Sequence, residues 1–230
     1  MDLASVVAID GPSGSGKSSM TKSICDRLGI LHVDTGSMFR ALAYQANKMN
    51  VNLDKESEVK DFLNNLEISY APSSNVLISI NGEDLTEKIR QHNVSELASN
   101  VSKVQLIRDF LLNFQRNLVK DRVCVMEGRD IGTVVFPNSF CKIFLTASIE
   151  VRAKRRLKEL EERGKSNIDY QTIVEDVRIR DEKDTTRKVA PLKMADDACL
   201  VDTSDMNRDQ VINHITELIQ EKAKLFNINL

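Results

Sequence analysis

Neither sign of charge is in excess, long apolar runs are missing, and cysteine and histidine are sparse. Among 230 residues, 32 Lys+Arg stand against 34 Asp+Glu, a formal net charge of −2. Such a balance excludes a nucleic-acid coat protein or a polybasic membrane anchor. No uninterrupted apolar stretch reaches the ~18–20 residues that cross a bilayer. Met1-Asp2-Leu3 opens no basic region followed by a long apolar one, so a cytoplasmic protein is expected, without nucleic-acid or membrane partners. The four cysteines (Cys25, Cys124, Cys141, Cys199) form no C-x-x-C pair, and His32, His92 and His214 are equally scattered. That spacing speaks against a zinc site or a disulfide framework. Cys124 and Cys141 lie in apolar runs, which favours buried thiols. Repeats and low-complexity tracts are also missing.

What is present suits a packed core. Hydrophobic residues make up 41% and charged residues 29%, and the length fits one domain, or one domain with an insertion. Ser5–Asp10 is a short apolar run ending at a glycine-rich turn, as expected of a strand buried on both faces. Residues 16–28 read as a helix with Met20, Ile24 and Leu28 on one face and Gly29 as its C-cap. Leu31–Val33 reads as a strand and Met38–Lys48 as a helix. Further buried strands are expected at Arg122–Met126, Cys141–Leu145 and Cys199–Val201, with a closing helix over Arg208–Lys224. Strands alternating with helices imply an α/β fold with a parallel sheet covered on both sides.

Two stretches break the rhythm. Ile68–Tyr70, Val76–Ile80 and Glu83–Thr86, with Asn81-Gly82 as a tight turn, read as a small antiparallel meander within an insertion of about residues 66–100. Between Glu150 and Ala190, 22 of 41 residues are charged. Much of that is the solvated face of a helical hairpin. Arg152, Arg155 and Arg156 nevertheless cluster in one turn, and Arg178, Arg180 and Arg187 recur later, as in a mobile lid over a phosphate. The core then comprises about residues 1–65, 101–150 and 190–230, with the lid and its following helix over about 151–189.

The chemistry is carried first by Gly11-Pro12-Ser13-Gly14-Ser15-Gly16-Lys17-Ser18, a match to G-x-x-x-x-G-K-[ST] placed between an expected strand and an expected helix. Its N–H groups can approach phosphate oxygens, and the helix N-terminus adds a favourable partial charge. Lys17 can bridge the β- and γ-phosphates, and the Ser18 hydroxyl can ligate Mg²⁺. No N-K-x-D motif of a GTPase and no strand ending in Asp-Glu, as in motor ATPases, accompanies it. Instead, arginines stand at the ends of elements. Asp34-Thr35-Gly36-Ser37-Met38-Phe39-Arg40 follows the second strand; Asp34 is directed at the crevice as a second candidate metal ligand, and Thr35 is a candidate helix cap. Glu127-Gly128-Arg129-Asp130 follows another strand, and a surface ion pair contributes too little to explain that placement. Arg180–Arg187 ends the charged hairpin, where planar guanidinium forks suit phosphate.

Taken together, GPSGSGKSS, VDTGSMFR, EGRDIGTVVFP and RDEKDTTRKVAPL resemble the bacterial-type cytidylate kinases across the whole chain. The resemblance implies a P-loop kinase fold with a monophosphate-binding insertion and a helical lid, moving the γ-phosphate of ATP to CMP or dCMP with Mg²⁺. It implies that Gly11 to Ser19 (Gly11, Pro12, Ser13, Gly14, Ser15, Gly16, Lys17, Ser18 and Ser19) hold the ATP phosphates. Thr35, Arg108, Arg129 and Arg180 would surround the acceptor phosphate, with Arg40 assisting. Ser99, Asp130 and Arg187 would read cytosine, and Asp184 the ribose. Arg152 and Arg156 would swing from the lid onto the transferring phosphate. Phe39 stands where the family usually has Tyr, Ser37 where it has Ala, and Glu127 where many members have Asp. A monomer is expected. A kinase for UMP, dTMP, shikimate or a coenzyme precursor is the rival enzyme reading, opposed by EGRD and TTRKVAPL. A non-catalytic nucleotide-binding regulator is the other rival, opposed by the loop lysine and the outward arginines.

Overall fold

The computed structural model describes residues 3–71, 75–120, 122–162, 164 and 169–230. Parts of the expected insertion (72–74) and of the charged hairpin (163, 165–168), and the first two residues, lie outside the described residues. The described chain forms two compact units, one from the residues up to His32 and from Arg122 onward, the other from Val33–Lys120.

The first unit carries the main sheet apart from the last two residues of β2. Strands β1 (Ala4–Asp10), β2 (Leu31–Asp34), β6 (Cys124–Gly128), β7 (Ser139–Thr146) and β8 (Cys199–Asp202) lie in the order β2-β6-β1-β7-β8. β1 runs parallel to both β6 and β7, and β7 parallel to β8. β1 is therefore central, and it reads as a continuous apolar run because both its faces are covered. Helix α1 (Lys17–Leu28) packs Met20 and Ile24 into a core shared with Val7, Ile9, Ile143 and Leu145. The last helix, α8 (Arg208–Leu225), adds Val211, Ile215 and Ile219 to the same core. A capping box closes the start of α8, with Asn207 and Gln210 satisfying each other's backbone N–H groups. Cys25, Cys124 and Cys141 are buried, and burial pushes each thiol up to about 12. Helices α6 (Ile149–Glu162) and α7 (Tyr170–Thr186) form the charged hairpin, held by a narrow seam of Ala153, Leu160, Ile173 and Val177.

The second unit is mainly helical. It comprises α2 (Thr35–Lys48), α3 (Glu56–Asn64), α4 (His92–Val101) and α5 (Gln105–Leu118), with a small antiparallel sheet of β3 (Ile68–Tyr70), β4 (Ile78–Ile80) and β5 (Glu83–Asp84). The expected turn between β4 and β5 is present: Asn81 and Gly82 both have positive φ, 50° and 78°, the conformation a two-residue hairpin needs. Helix α2 starts at Thr35, three residues before the expected Met38, and Thr35 is not its cap. The Asp34 carboxylate takes that role by accepting from the Ser37 N–H, because a carboxylate is the stronger acceptor for the helix's free N–H groups. The 66–100 stretch lies inside this larger unit rather than standing alone as a compact body. Among the described residues no helix is long and apolar enough to cross a membrane.

Candidate active site

The register of the main sheet gathers the chemistry of the first unit at one edge. Asp10 is opposite Gly128 on one side and Phe144 on the other, so the chain segments after β1 and β6 emerge together at the carboxyl ends of parallel strands, where open α/β sheets bind ligands. The phosphate loop leaves β1 at Gly11. A side chain there would collide with the carbonyl oxygen of Leu145 on β7, so the close approach of loop to strand requires glycine. The loop ends in the first turn of α1, which directs free N–H groups at its concavity.

Lys17 is buried against this loop. Its ammonium donates to the carbonyls of Gly11 (2.7 Å) and Pro12 (2.8 Å) and to Ser15 Oγ (3.1 Å). Burial pushes its pKa well below the ordinary lysine value and the Arg129 guanidinium adds to this, while Glu127, Asp10 and Asp184 oppose it. The ammonium is thus held where its positive charge is under-compensated, an environment that favours an incoming anion. Ser18 donates to Glu127 Oε2 (3.0 Å) and His32 Nε2 meets Glu127 Oε1 at 2.8 Å. Glu127 is only 2% exposed. Asp10 lies beneath the loop, accepting from the N–H groups of Ile131 (2.8 Å) and Gly132 (2.7 Å) in the π-helical turn Ile131–Val135 that follows Asp130. Burial raises its pKa to about 6 against those two hydrogen bonds.

A second cluster in the same unit joins arginine to carboxylate. Arg129 Nε donates to Asp184 Oδ2 at 2.9 Å, and Arg180 Nε is 3.5 Å from the same oxygen. Arg187 Nη2 is 3.5 Å from Asp130 Oδ1, and its Nε donates to the Ala190 carbonyl at 2.7 Å. Burial raises the Asp184 pKa, but Arg129, Arg180 and Arg187 outweigh it and hold the carboxyl below its usual range. Five of the expected residues, Arg129, Asp130, Arg180, Asp184 and Arg187, are therefore brought into one charged network by the end of β6 and the last turns of α7.

The charged hairpin divides the two arginines expected to swing. Arg152 is 4% exposed and fixed: it donates to the carbonyls of Ala147 (2.9 Å) and Ser13 (3.0 Å) and makes a two-pronged pair with Asp181 (3.0 and 2.6 Å). In this arrangement it supports the phosphate loop from α6, whereas the resemblance implies a swing onto the transferring phosphate. Arg156 pairs with Glu159 along the helix at 2.8 Å. Arg155, which the sequence groups with Arg152 and Arg156, donates to the Ser15 carbonyl (3.1 Å) and to Thr203 Oγ1 and O (3.0 and 2.9 Å).

In the second unit, Thr35, Ser99 and Arg108 are buried. Arg108 Nη1 donates to the Ser102 carbonyl at 3.2 Å, and its guanidinium lies 5.2 Å from the centroid of the Phe39 ring. Arg40 pairs with Asp34 Oδ2 at 2.9 Å, and Tyr70 Oη accepts from the Asp34 N–H at 2.9 Å. Both Asp34 oxygens are thus engaged, one in capping and one with Arg40. In the first unit, Glu127 is the carboxylate that meets Ser18.

A parallel sheet whose central strand feeds a G-x-x-x-x-G-K-S loop into a helix, with a buried lysine and an arginine network at the same edge, defines a P-loop kinase. Likeness of fold alone extends to an uncharacterized protein from Eubacterium ventriosum, with TM-score 0.50, 15% identity and coverage of 94% of this chain and 98% of that one. The cytidylate kinase family profile matches residues 7–221. The chain is 41% identical over 219 residues to a cytidylate kinase of Caldicellulosiruptor bescii, covering 95% of this chain and 96% of that protein. It is 42% identical over 217 residues to one of Thermotoga maritima, covering 94% and 97%. The chain belongs to the cytidylate kinase family.

Proposed function

We infer that the protein transfers the γ-phosphoryl group of ATP to CMP or dCMP. The observation that carries this reading is the buried lysine of the phosphate loop, with Arg129 and Asp184 of the arginine–carboxylate network contributing to its electrostatic surroundings. A nucleotide sensor needs the loop, but it does not need the three arginines and two aspartates of that network.

Gly11 to Ser19 would bind the ATP phosphates through loop N–H groups, and Lys17 would balance charge on the transferring group. The acceptor is itself an anionic phosphate, so no strong general base is needed. Catalysis rests on in-line positioning and charge neutralisation. In the first unit, Arg129 and Arg180 would bind the acceptor phosphate, Asp130 and Arg187 the cytosine edge, and Asp184 the ribose. In the second, Thr35, Arg40 and Arg108 would serve the acceptor phosphate and Ser99 the base. The Ser18 hydroxyl and the Glu127 carboxylate form a hard-oxygen donor pair that fits Mg²⁺. When bound, that ion would neutralise phosphate charge. Arg152 and Arg155 would keep the loop in its binding shape, and Arg156 on α6 is the arginine left to meet the nucleotide. We place the enzyme in the cytoplasm, as a monomer.

Lys17→Ala tests the reading. ADP release in the presence of CMP is expected to fall roughly 100- to 1000-fold, the scale of losing one preorganised transition-state charge, with the fold retained by circular dichroism. Near-normal turnover would remove Lys17 from the reaction.

A further inference from the structure

His32, Glu127 and Ser18 form a continuous chain ending at the phosphate loop. His32 Nε2 lies 2.8 Å from Glu127 Oε1, and Ser18 Oγ donates to Glu127 Oε2 at 3.0 Å. All three belong to the first unit. The Glu127 side chain is 3% exposed and that of His32 19%, so the carboxylate is inside and the imidazole closes its outer side. The partners come from three elements: His32 from β2, Glu127 from β6 and Ser18 from the first turn of α1. Glutamate has one more rotatable bond than aspartate, so a carboxylate at this reach has one more torsion to hold in place.

We propose that His32 is a positioning residue for nucleotide-bound Mg²⁺: by binding one oxygen of Glu127 it directs the other at Ser18. In this arrangement Nε2 carries the proton and donates to Oε1. Glu127 Oε2 then accepts from the Ser18 hydroxyl until a cation takes the oxygen faces of both. Outer partners of this kind fix the orientation of metal-binding side chains, and losing one typically weakens metal binding about tenfold to a hundredfold. His32 touches neither phosphate nor base, so its contribution is confined to the metal-dependent part of nucleotide binding. The inference rests on Ser18 and Glu127 as the metal donors and is independent of which monophosphate accepts the phosphoryl group.

Calorimetric titration of ADP, with and without Mg²⁺ and with no acceptor present, tests this without turnover. Two amide variants separate donor position from bulk: the Gln side chain can bring its N–H₂ group near the position of imidazole Nε2, and the shorter Asn cannot. His32→Gln is expected to keep the Mg²⁺-dependent gain in ADP affinity within about threefold of wild type, and His32→Asn to lose about tenfold of that gain. Mg²⁺-free ADP affinity is expected to stay within about twofold in both. An equal Mg²⁺ gain in wild type, Gln and Asn proteins overturns the proposal, as does an equal loss of affinity with and without Mg²⁺, which marks a merely structural histidine. Failure of the wild type to bind ADP at all would count against the kinase reading, so the two failures are distinguishable.

Discussion

Phe39 stands where the cytidylate kinase family usually has tyrosine, and the structure gives its ring a task that needs no hydroxyl. The buried Arg108 guanidinium lies 5.2 Å from the ring centroid, held from another direction by the Ser102 carbonyl. A desolvated cation over an aromatic face contributes on the order of 1–2 kcal/mol, and here it fixes the direction of a planar fork suited to phosphate. Phe39→Leu is therefore expected to raise the apparent KM for CMP about five- to thirtyfold, with KM for ATP little changed, while Phe39→Tyr stays near wild type. Steady-state kinetics with each substrate varied in turn checks this, and equal changes in both KM values would contradict the assigned role.

Between strands and loops, Asp10 ties the end of β1 to the turn after Asp130 through two backbone N–H groups. Its pKa is about 6 in the folded protein against an ordinary value of 3.8, with burial the leading cause. The folded state then binds the proton more tightly than the unfolded one. From this group, stability falls as pH rises from about 4 to about 6 and is level above that. The change amounts to about 3 kcal/mol at most. Asp184 has the opposite sign: its carboxyl is held low by arginines despite burial, so its contribution is lost on acidification. Denaturant midpoints of wild type and Asp10→Asn between pH 4 and 7 separate the two. The wild type is expected to lose stability relative to the variant across pH 4 to 6, and a pH-independent difference would show that Asp10 is not titrating there.

The same scale explains what was legible in the sequence. Helix α1 and the Asn81-Gly82 hairpin were readable because their signals are local: apolar spacing, a glycine cap, a turn that needs positive φ. The start of α2 was misread because Asp34 was assigned to the crevice and its capping oxygen overlooked. The phosphate loop and the EGRD and RDEKDTTR stretches were legible as candidate site segments. Their partnerships were not. Arg129 and Asp184 are 55 positions apart, and Ser18 and Glu127 are 109 apart. Only the order β2-β6-β1 puts His32 and Glu127 beside the loop. Arg152 reads as a lid residue from the arginine cluster of the charged hairpin and from the family resemblance. Asp181, its partner one element later, turns it into a support for the phosphate loop.

At the scale of the molecule, the residues proposed for the acceptor fall in both compact units, Arg129, Arg180 and Arg187 with Asp130 and Asp184 in one and Arg108, Arg40 and Ser99 in the other. Cytosine presents an amino group at position 4 and an acceptor at N3; uracil reverses both polarities. A carboxylate such as Asp130 and a guanidinium such as Arg187 match the first and oppose the second. Mispaired buried polar groups cost roughly 1–3 kcal/mol each, so discrimination of roughly tenfold to a few thousandfold follows. The decisive measurement is kcat/KM for ADP release from ATP across CMP, dCMP, UMP, dTMP, AMP and shikimate. CMP or dCMP is expected at the top, ahead of UMP by at least about tenfold, with shikimate inactive. Equal values for CMP and UMP, or a higher value for any other acceptor, would contradict it.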